Sequence, residues 1–344
     1  MITDQNPLKV AISTGIPLGD FERLSPNRSL KWGRCVFTLN PAHDTEFDFW
    51  IVFAAAPGRS RLLCAPENTL FIAGEPPAKK IYPRAFYAQF HRLICTRADY
   101  PHPRVIYDAL GLNWHVGYNR LTGEYRYGYD ELVDMRPADK QLAISVVCSE
   151  LNKTPGQRLR LEFLSRLKQH FGENIVHYGR GFTPIEDKLD AIAPYHYHLV
   201  LENSTSDDYW TEKLSDAYLG WSYPLYLGCP NLENYFPADS FTRLSPERFE
   251  HAVQVIEKAL SAPPSREQLT AVATARDLVL NRYNPFARFS HWAEKFHDPC
   301  GIKIKHVITT HKAFAPFPSG WLYRLRKGHF LPKNQFPDAD TKAR

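Results

Sequence analysis

The stretch HLVLENSTSDDYWTEKLSDAYLG, residues 198–220, begins as an apolar run and continues as an amphipathic segment. The run predicts a β-strand, and Trp210, Leu214, Ala217 and Tyr218 recur at helical spacing, which predicts a helix after it. In an open parallel sheet, ligands bind where the carboxyl ends of strands lead into helices, whose first backbone amides favour anions. The polar joint between this strand and this helix is therefore a candidate ligand site.

Two charged residues, Glu212 and Lys213, open the predicted helix. Apolar residues account for the buried face of the helix, so both side chains are available to a ligand. Lys213 would serve as a point charge for phosphate and Glu212 as an acceptor for sugar hydroxyls. The alternative is a solvated first turn, in which the helix dipole favours the acid and the lysine is merely exposed. Spacing alone leaves both interpretations open.

Strand and helix patterns alternate on both sides of the joint, which predicts two α/β domains in tandem, each with a parallel sheet. The predicted strands are 7–14, 47–55, 69–77, 92–97, 142–149, 174–181, 196–203 and 223–228. The predicted helices are 82–90, 157–172, 211–221, 245–261 and 265–283. The helix at 157–172 should bury Leu159, Phe163, Leu164, Leu167 and Phe171, with Gly172 as its C-cap. The polar stretch 120–140 has no clear periodicity and predicts a linker.

Composition is that of a globular protein, with 44% hydrophobic and 23% charged residues in a chain of 344. The six cysteines are scattered without short paired spacings, which favours reduced thiols in a cytosolic protein. No apolar run approaches the length of a membrane span, and no signal-peptide pattern opens the sequence. These features predict a soluble, cytoplasmic protein.

The positive charge is concentrated near the C-terminus. Residues 301–344 hold nine Lys or Arg against two Asp, a net charge of +7, whereas the whole chain carries +5. Because the first 300 residues are slightly acidic, binding to nucleic acid is not expected. The segment GWLYRLRKGHFLPK, residues 320–333, mixes basic and apolar side chains. It would either lie on an anionic membrane surface or pack back on the first domain as a solvated terminal helix.

The stretch LVLENSTSDDYWTEKLSDAYLGWSYPLYLGCPNLENYFPADSF, residues 199–241, resembles the signature of glycosyltransferase family 10, the α-1,3/4-fucosyltransferases. In that signature an F-E-N-S-like strand end, a D-Y-x-T-E-K-L helix start, a P-x-x-x-G turn and an F-x-P-x-x-S-F element follow in this order. The match is long and nearly ungapped. Similarity extends upstream to SVVCSELNKTPGQRLRLEFLSRL (145–167), VHYGRGF (176–182) and LFIAGEPP (70–77).

The resemblance implies the GT-B architecture, an α/β fold of two Rossmann-like domains that face a central cleft. We expect an N-terminal acceptor-side domain at 1–135, a C-terminal GDP-sugar-binding domain at 141–300 and a basic tail at 301–344. The implied reaction is inverting transfer of L-fucose from GDP-fucose to O3 or O4 of a glycan acceptor of the GlcNAc/Gal type. A lipopolysaccharide or lipid-linked glycan would suit a cytoplasmic enzyme, peripheral at the inner membrane through its basic tail.

The resemblance also implies roles for individual residues. Glu75, at the end of the family's T-G-E-like turn, would be the catalytic base. Arg160 would bind the pyrophosphate, with Arg158 as the fallback. The other implied donor-binding residues are Gly179, Glu202, Asn203, Tyr209, Glu212 and Lys213. The sequence departs from the family pattern at Leu201, Ala73 and Glu150-Leu151, without loss of a charged group at these sites, so acceptor choice is more in doubt than the chemistry.

No cofactor or metal is implied beyond the GDP-fucose donor. The D-x-D triplet that many nucleotide-sugar enzymes use for Mn²⁺ occurs only at Asp338–Asp340, in the tail. His196 and His198 share one face of a strand, where packed histidines are commoner than a metal site. Two alternatives remain open: a transferase for another GDP-sugar, and a catalytically inactive sugar-nucleotide-binding protein of the same fold.

Overall fold

The computed structural model describes residues 6–17, 19–75, 80–96, 102–119, 121–315 and 319. The chain divides into two compact units. Unit 1 comprises 1–19, 30–110 and 289–344, and unit 2 comprises 20–29 and 111–288, as far as these residues are described.

Unit 1 is built on a seven-stranded, mainly parallel sheet with the strand order β2-β3-β1-β4-β6-β7-β8. Its elements are β1 Leu8–Ser13, β2 Lys31–Trp32, β3 Cys35–Leu39, β4 Phe49–Ala54, β5 Arg59–Cys64, β6 Thr69–Ala73, α1 Arg84–Tyr87, β7 Arg92–Cys95 and β8 Val105–Tyr107. The central strand β6 is buried at every residue, as expected for a parallel strand covered on both faces. Glu75 lies two residues beyond the carboxyl end of β6.

Unit 2 is built on a five-stranded parallel sheet with the strand order β10-β9-β11-β12-β13. Its elements are α2 Tyr129–Asp134, β9 Gln141–Val147, α3 Pro155–Phe171, β10 Ile175–Tyr178, α4 Lys188–Ile192, β11 Tyr195–Leu201, α5 Glu212–Leu219, β12 Tyr223–Leu227, β13 Thr242–Arg243, α6 Phe249–Ser261 and α7 Arg266–Asn281. Two further elements are α8 Pro285–Phe296, in which the division between the units falls, and β14 Ile304–Thr309, which belongs to unit 1.

The strand order of unit 2 reverses between β9 and β11. The chain runs from β9 through α3 to β10 on one side of β9, and then through α4 to β11 on the other side. All the pairings that link β10, β9, β11 and β12 are parallel, so their carboxyl ends meet at one edge of the sheet. Such a reversal leaves a crevice at this edge, which is where open α/β sheets bind ligands.

The predicted fold class, α/β with two Rossmann-like domains, is confirmed by these two parallel-sheet units. Each predicted strand and helix overlaps an observed element. Two buried positions were wrong: Leu159 is 39% exposed and Phe171 is only partly buried. Arg160 lies on the buried face of α3 together with Phe163, Leu164 and Leu167. The positions 160, 163, 164 and 167 form a regular helical stripe that begins with the arginine.

The units divide at positions that differ from the predicted boundaries of 135/141 and 300/301. The segment after Gly111 belongs to unit 2 because the backbone amides of His115 and Val116 donate to the buried Asp216 carboxylate. The predicted tail begins with β14, which pairs antiparallel with β5 of unit 1. The predicted membrane segment at 320–333 lies outside the described residues. Within the described ranges, no helix is both long and apolar enough to cross a bilayer.

Candidate functional site

The site of unit 2 begins with a buried carboxylate, Glu202, the first residue after β11. Its Oε1 accepts hydrogen bonds from the backbone amide and the hydroxyl of Thr211, at 2.8 and 2.9 Å. Its Oε2 accepts from the same hydroxyl at 2.8 Å and from Lys213 Nζ at 3.2 Å. Thr211 is the N-cap of α5. Glu202 therefore ties the start of α5 to the end of β11, and this positions the residues that follow.

Lys213 lies between two carboxylates. Its Nζ is 3.2 Å from Glu202 Oε2, 3.3 Å from Glu212 Oε1 and 2.9 Å from Thr211 Oγ1. Burial by itself would lower the pKa of Lys213, but the two carboxylates outweigh it and raise that pKa above 10.5. The side chains of Lys213 and Glu212 are only 16% and 20% exposed, which excludes the solvated first turn. Lys213 is thus a fixed, permanently charged ammonium.

Glu212 lies beside two lysine ammonium groups and an imidazole. Its Oε1 lies 3.3 Å from Lys213 Nζ, 3.7 Å from Lys188 Nζ and 3.9 Å from His115 Nδ1. Burial would raise the pKa of Glu212, but these neighbours hold it well below 4.5. Glu212 is therefore ionised at neutral pH and can accept hydrogen bonds from sugar hydroxyls, as its predicted role requires.

Lys188 and Asp216 extend this charged cluster into the core of unit 2. Lys188 Nζ donates to Asp216 Oδ2 at 2.8 Å, and the Asp216 side chain is 1% exposed. Sequence analysis did not single out either residue, or His115. Lys188 and Asp216 lie 28 positions apart in the sequence, and no motif links them. The available signal was Asp216, an ionisable residue between Leu214 and Ala217 on the apolar side of α5.

Arg160 lies on the buried face of α3, is 4% exposed, and its Nε has no hydrogen-bond partner among the described residues. Burial raises the pKa of the Cys148 thiol, just after β9, while the charges of Arg160 and Lys213 act in the opposite direction. Both cations therefore lie near the carboxyl end of β9, beside the strand reversal. Arg158, the fallback, instead donates to the carbonyls of Asn152 and Lys153 and is exposed.

The loop from Asn203 to Trp210 crosses the same edge of the sheet. The Oδ1 of Asn203 is buried without a hydrogen-bond partner in the described part of the chain. Tyr209 is 6% exposed. Asp208, which was not predicted, has a left-handed φ of 61° and accepts from Asn231 Nδ2 at 2.7 Å and from the Tyr235 hydroxyl at 2.6 Å. These bonds hold the loop in one conformation.

Gly179 follows β10 with a φ of +129°, a conformation that side-chain-bearing residues rarely adopt. A Cβ there would lie 2.5 Å from the Cys148 carbonyl oxygen. The turn therefore approaches the end of β9 more closely than any other residue would allow. This places Gly179 at the edge of the sheet where Arg160, Glu202 and Lys213 were predicted to act.

Residues 137–261 match the family model described as glycosyltransferase family 10 (fucosyltransferase), C-terminal. The match contains every residue that was predicted to bind the donor. Residues 137–261 thus form a family 10 domain within the chain. The resemblance drawn from the sequence is thereby confirmed, and the strand reversal of unit 2 lies inside the family 10 domain.

Curated relatives match about two fifths of the chain. A 4-galactosyl-N-acetylglucosaminide 3-alpha-L-fucosyltransferase of Pongo pygmaeus is 28% identical over 170 residues, which are 42% of this chain and 47% of that protein. A 3-galactosyl-N-acetylglucosaminide 4-alpha-L-fucosyltransferase of Bos taurus is 32% identical over 142 residues, 36% of this chain and 38% of that protein. The chain thus spans less than half the length of these relatives.

Among solved structures, an alpha1,3-fucosyltransferase with GDP aligns with a TM-score of 0.47 and 18% sequence identity. The alignment covers 83% of this chain and 94% of that chain. A structure of alpha1,3-fucosyltransferase with GDP-fucose aligns with a TM-score of 0.43, also at 18% identity.

Glu75 lies in unit 1, outside the family 10 domain. It lines a small pocket together with Ala54, Lys80, Tyr82 and other residues that follow β4 and β6. The Tyr82 hydroxyl donates to the Ala54 carbonyl at 3.0 Å, and Lys80 Nζ lies 4.6 Å from the centre of the Tyr82 ring. The predicted base thus occupies the carboxyl end of a central parallel strand.

Histidines and acids do not gather into a metal centre in the described part of the chain, where no group of three His, Cys, Asp or Glu has the required arrangement. His198 is 3% exposed and its Nδ1 lies 2.7 Å from the Ser145 hydroxyl. Burial lowers the pKa of His198 to about 3, so the ring is a neutral core group. The Asp338–Asp340 triplet lies outside the described residues.

Proposed function

We propose that the chain is an inverting fucosyltransferase, which moves L-fucose from GDP-fucose to O3 or O4 of a GlcNAc/Gal-type glycan. Its family 10 domain supports this reaction class. Its relatives are named as 3-alpha- and 4-alpha-L-fucosyltransferases of galactosyl-N-acetylglucosaminides. These names support fucose as the transferred sugar and O3 or O4 as the acceptor position. The alternatives are another GDP-sugar as donor and a non-catalytic binding protein.

The observation that carries the proposal is the buried guanidinium of Arg160. A buried cation is costly unless it is paired, and the Nε of Arg160 has no hydrogen-bond partner among the described residues. It lies near the carboxyl end of β9, where its charge and that of Lys213 both act to lower the pKa of the Cys148 thiol. A planar guanidinium is suited to bind two phosphate oxygens at once. A diphosphate would supply an anionic partner for this guanidinium.

Two cations and a helix start would stabilise the departing diphosphate. As the bond between fucose C1 and the β-phosphate oxygen breaks, that oxygen keeps the electron pair and its negative charge grows. Arg160, Lys213 and the first amides of α5 supply positive charge at this edge of the sheet. Because the Nζ of Lys213 is already held by Glu202 and Glu212, it needs no reorganisation to act as a fixed charge.

We assign the base role to Glu75. The acceptor hydroxyl attacks fucose C1 from the face opposite the leaving group, which inverts the configuration, and its proton passes to the Glu75 carboxylate. The C–O bond formed to the acceptor replaces the C–O bond to the β-phosphate, and GDP is released. No metal or other cofactor is needed in this scheme.

Three further residues would orient the sugars of the donor. Glu212 is held ionised by its cationic neighbours and would accept from hydroxyl groups. The Oδ1 of Asn203, which has no hydrogen-bond partner among the described residues, and the loop residue Tyr209 would contact the ribose or the fucose. Glu202 has a different role, because both of its oxygens are bonded to Thr211 and Lys213 and its side chain is fully buried. It positions the site rather than touching the donor. The turn at Gly179 would leave room for the diphosphate.

The cellular setting is proposed from charge alone. The +7 net charge of residues 301–344 would hold a cytoplasmic enzyme at an anionic membrane surface, near a lipid-linked acceptor. Nucleic acid is not proposed as a partner. Co-sedimentation with anionic liposomes should fall when the chain is shortened after residue 315, and unchanged binding would contradict the membrane contact.

The test of the proposed function is a comparison of Glu75→Gln with the wild-type protein. Wild type should release GDP from GDP-fucose when an N-acetyllactosamine acceptor is present. Glu75→Gln should bind GDP with unchanged affinity by calorimetry but transfer fucose at least about 100-fold more slowly, the lower end of what a general base contributes. An unchanged transfer rate would contradict the base assignment. If the wild-type protein does not bind GDP, the proposed function is contradicted.

A further inference from the structure

The segment Trp114–Gly117 is fixed by carboxylates in the interior of unit 2. The amides of His115 and Val116 donate to Asp216 Oδ1 at 2.7 and 3.0 Å, and the amide of Gly117 donates to Asp187 Oδ1 at 2.9 Å. The neighbouring Trp114 is 1% exposed. These are backbone contacts, so they hold residue 115 in place whatever side chain it carries.

The imidazole of His115 projects beside Glu212 at the accessible side of the charged cluster. Its Nδ1 lies 3.9 Å from Glu212 Oε1, beyond hydrogen-bond distance. The side chain is 43% exposed, and the ring makes no hydrogen bond within the described ranges. The backbone of His115 is held in place, and its partly exposed ring, unbonded within the described ranges, can receive a ligand group.

The charges around His115 keep its ring neutral at physiological pH. Burial lowers the pKa of His115 below 6.5, Lys188 and Lys213 lower it further, and Glu212 and Asp216 act in the opposite direction without restoring it. A neutral imidazole has one N–H donor and one acceptor nitrogen, whereas an ionised carboxylate only accepts. His115 and Glu212 are therefore complementary groups side by side.

We propose that His115 is a further donor-binding residue, which shares the vicinal hydroxyls of the nucleotide sugar with Glu212. This inference rests on the proposed function, because it needs a sugar nucleotide at Glu212. Each hydroxyl both donates and accepts, so one of a vicinal pair donates to the carboxylate while its neighbour bonds the imidazole. Both the ribose and the fucose of GDP-fucose carry such a pair. His115 lies outside residues 137–261, so the family model does not contain it.

The experiment compares His115→Phe and His115→Gln with wild type, and uses His251→Phe, an exposed ring on α6, as the matched control. Dissociation constants for GDP and for GDP-fucose are measured by calorimetry, together with the KM for GDP-fucose and the melting temperature. His115→Phe should weaken GDP-fucose binding about three- to tenfold, the value of one neutral hydrogen bond. His115→Gln should recover most of that loss, and His251→Phe should match wild type.

The two ligands distinguish the source of the hydroxyls. Equal weakening of GDP and GDP-fucose by His115→Phe would assign His115 to the ribose, and weakening of GDP-fucose alone would assign it to the fucose. Titration of this ring should not change the wild-type KM from pH 7.5 upward, because burial and the nearby lysines hold the pKa of His115 below 6.5.

Unchanged affinity for both ligands in His115→Phe would overturn the inference while leaving the proposed function intact. A lowered melting temperature with equal losses in the Phe and Gln variants would indicate a structural role and would also overturn it. If wild type binds neither ligand, the proposed function fails and this inference fails with it.

Discussion

The carboxylate of Glu202 accepts hydrogen bonds from both the backbone amide and the hydroxyl of Thr211, at 2.8 and 2.9 Å. Glu202 directly follows a strand, and Thr211 caps the helix that comes next. The same carboxylate holds the ammonium of Lys213 at 3.2 Å. A single buried acid therefore sets both the start of α5 and the position of its first cation.

Replacement of Glu202 should destabilise unit 2. In Glu202→Gln a neutral amide replaces the carboxylate that pairs with the buried ammonium of Lys213. Breaking a buried ion pair costs roughly 3 kcal/mol. Urea denaturation measures this as a lower free energy of unfolding. The matched control is Glu162→Gln on the exposed face of α3, which should change stability by less than about 0.5 kcal/mol. Equal stabilities for the two variants would contradict the anchoring role of Glu202.

Arg160→Leu should separate folding from ligand binding. Because the buried guanidinium leaves its Nε unpaired within the described residues, an apolar replacement should leave the free energy of unfolding unchanged or raise it. GDP affinity should fall about 10- to 100-fold, the value of hydrogen bonds from a charged group to phosphate. Arg158→Leu, at an exposed position of the same helix, should bind GDP normally. A variant that is less stable than wild type but binds GDP with unchanged affinity would refute this assignment.

Gly156→Ala tests the close approach between α3 and the donor loop. A Cβ at residue 156 would lie 1.9 Å from the carbonyl oxygen of Asn203, so the loop must move. A displacement of about 1 Å can slow an enzyme on the order of 100-fold. The measured quantity is the transfer rate at saturating GDP-fucose. Gly58→Ala is the control, because a Cβ at residue 58 meets nothing within 4 Å, and it should keep full activity. Equal rates in both variants would count against a rigid loop.

Stability should fall in acid because of Glu212. Neighbouring cations outweigh burial and hold its folded-state pKa well below 4.5, so the unfolded chain takes up the proton first as pH falls. The stabilisation is present above pH 4.5 and is lost progressively as the pH drops toward the folded-state pKa. Urea denaturation between pH 3 and pH 7 should show a shallower decline below pH 4.5 for Glu212→Gln than for wild type. Parallel curves would show that the cluster does not stabilise the ionised form.

Lys213 imposes the opposite limit at alkaline pH. Glu202 and Glu212 raise its pKa above 10.5, so its stabilisation is complete below pH 10.5 and is lost as the pH rises through the folded-state value. Lys213→Met should therefore remove the decline in stability above pH 10.5 that wild type shows. Thermal melts from pH 8 to pH 11 measure this, and a decline that persists in the variant would assign it to other groups.

The sequence predicts the parallel sheets well because buried parallel strands are continuous apolar runs. The predicted strand at 69–77 corresponds to β6, whose residues are all buried. The helix α3 was also predicted, but its buried stripe begins at Arg160 instead of Leu159, because an arginine was not expected at an apolar position. A charged residue in register with an apolar stripe is itself a signal for a ligand site, and Arg160 gives that signal.

The boundaries of the units and part of the site could not be predicted, since they depend on contacts between distant residues. His115 is bonded to Asp216, 101 positions away, and no periodicity marks the segment that contains it. Strand β5, RSRLLC, which pairs with β14, contains two arginines. Its apolar run is too short to stand out in the sequence. Short motifs identified the loop after β11. The cations Arg160 on α3 and Lys188 on α4 come from other parts of the chain.

The measurement that tests the central claim most directly is release of GDP by the purified protein from a panel of GDP-sugars. GDP-fucose, GDP-mannose and GDP-glucose are each supplied with and without N-acetyllactosamine. We predict that only GDP-fucose is consumed, that the acceptor accelerates its consumption, and that a fucosylated product forms. Consumption of another GDP-sugar in preference, or GDP binding without turnover of any donor on the panel, would contradict a fucosyltransferase.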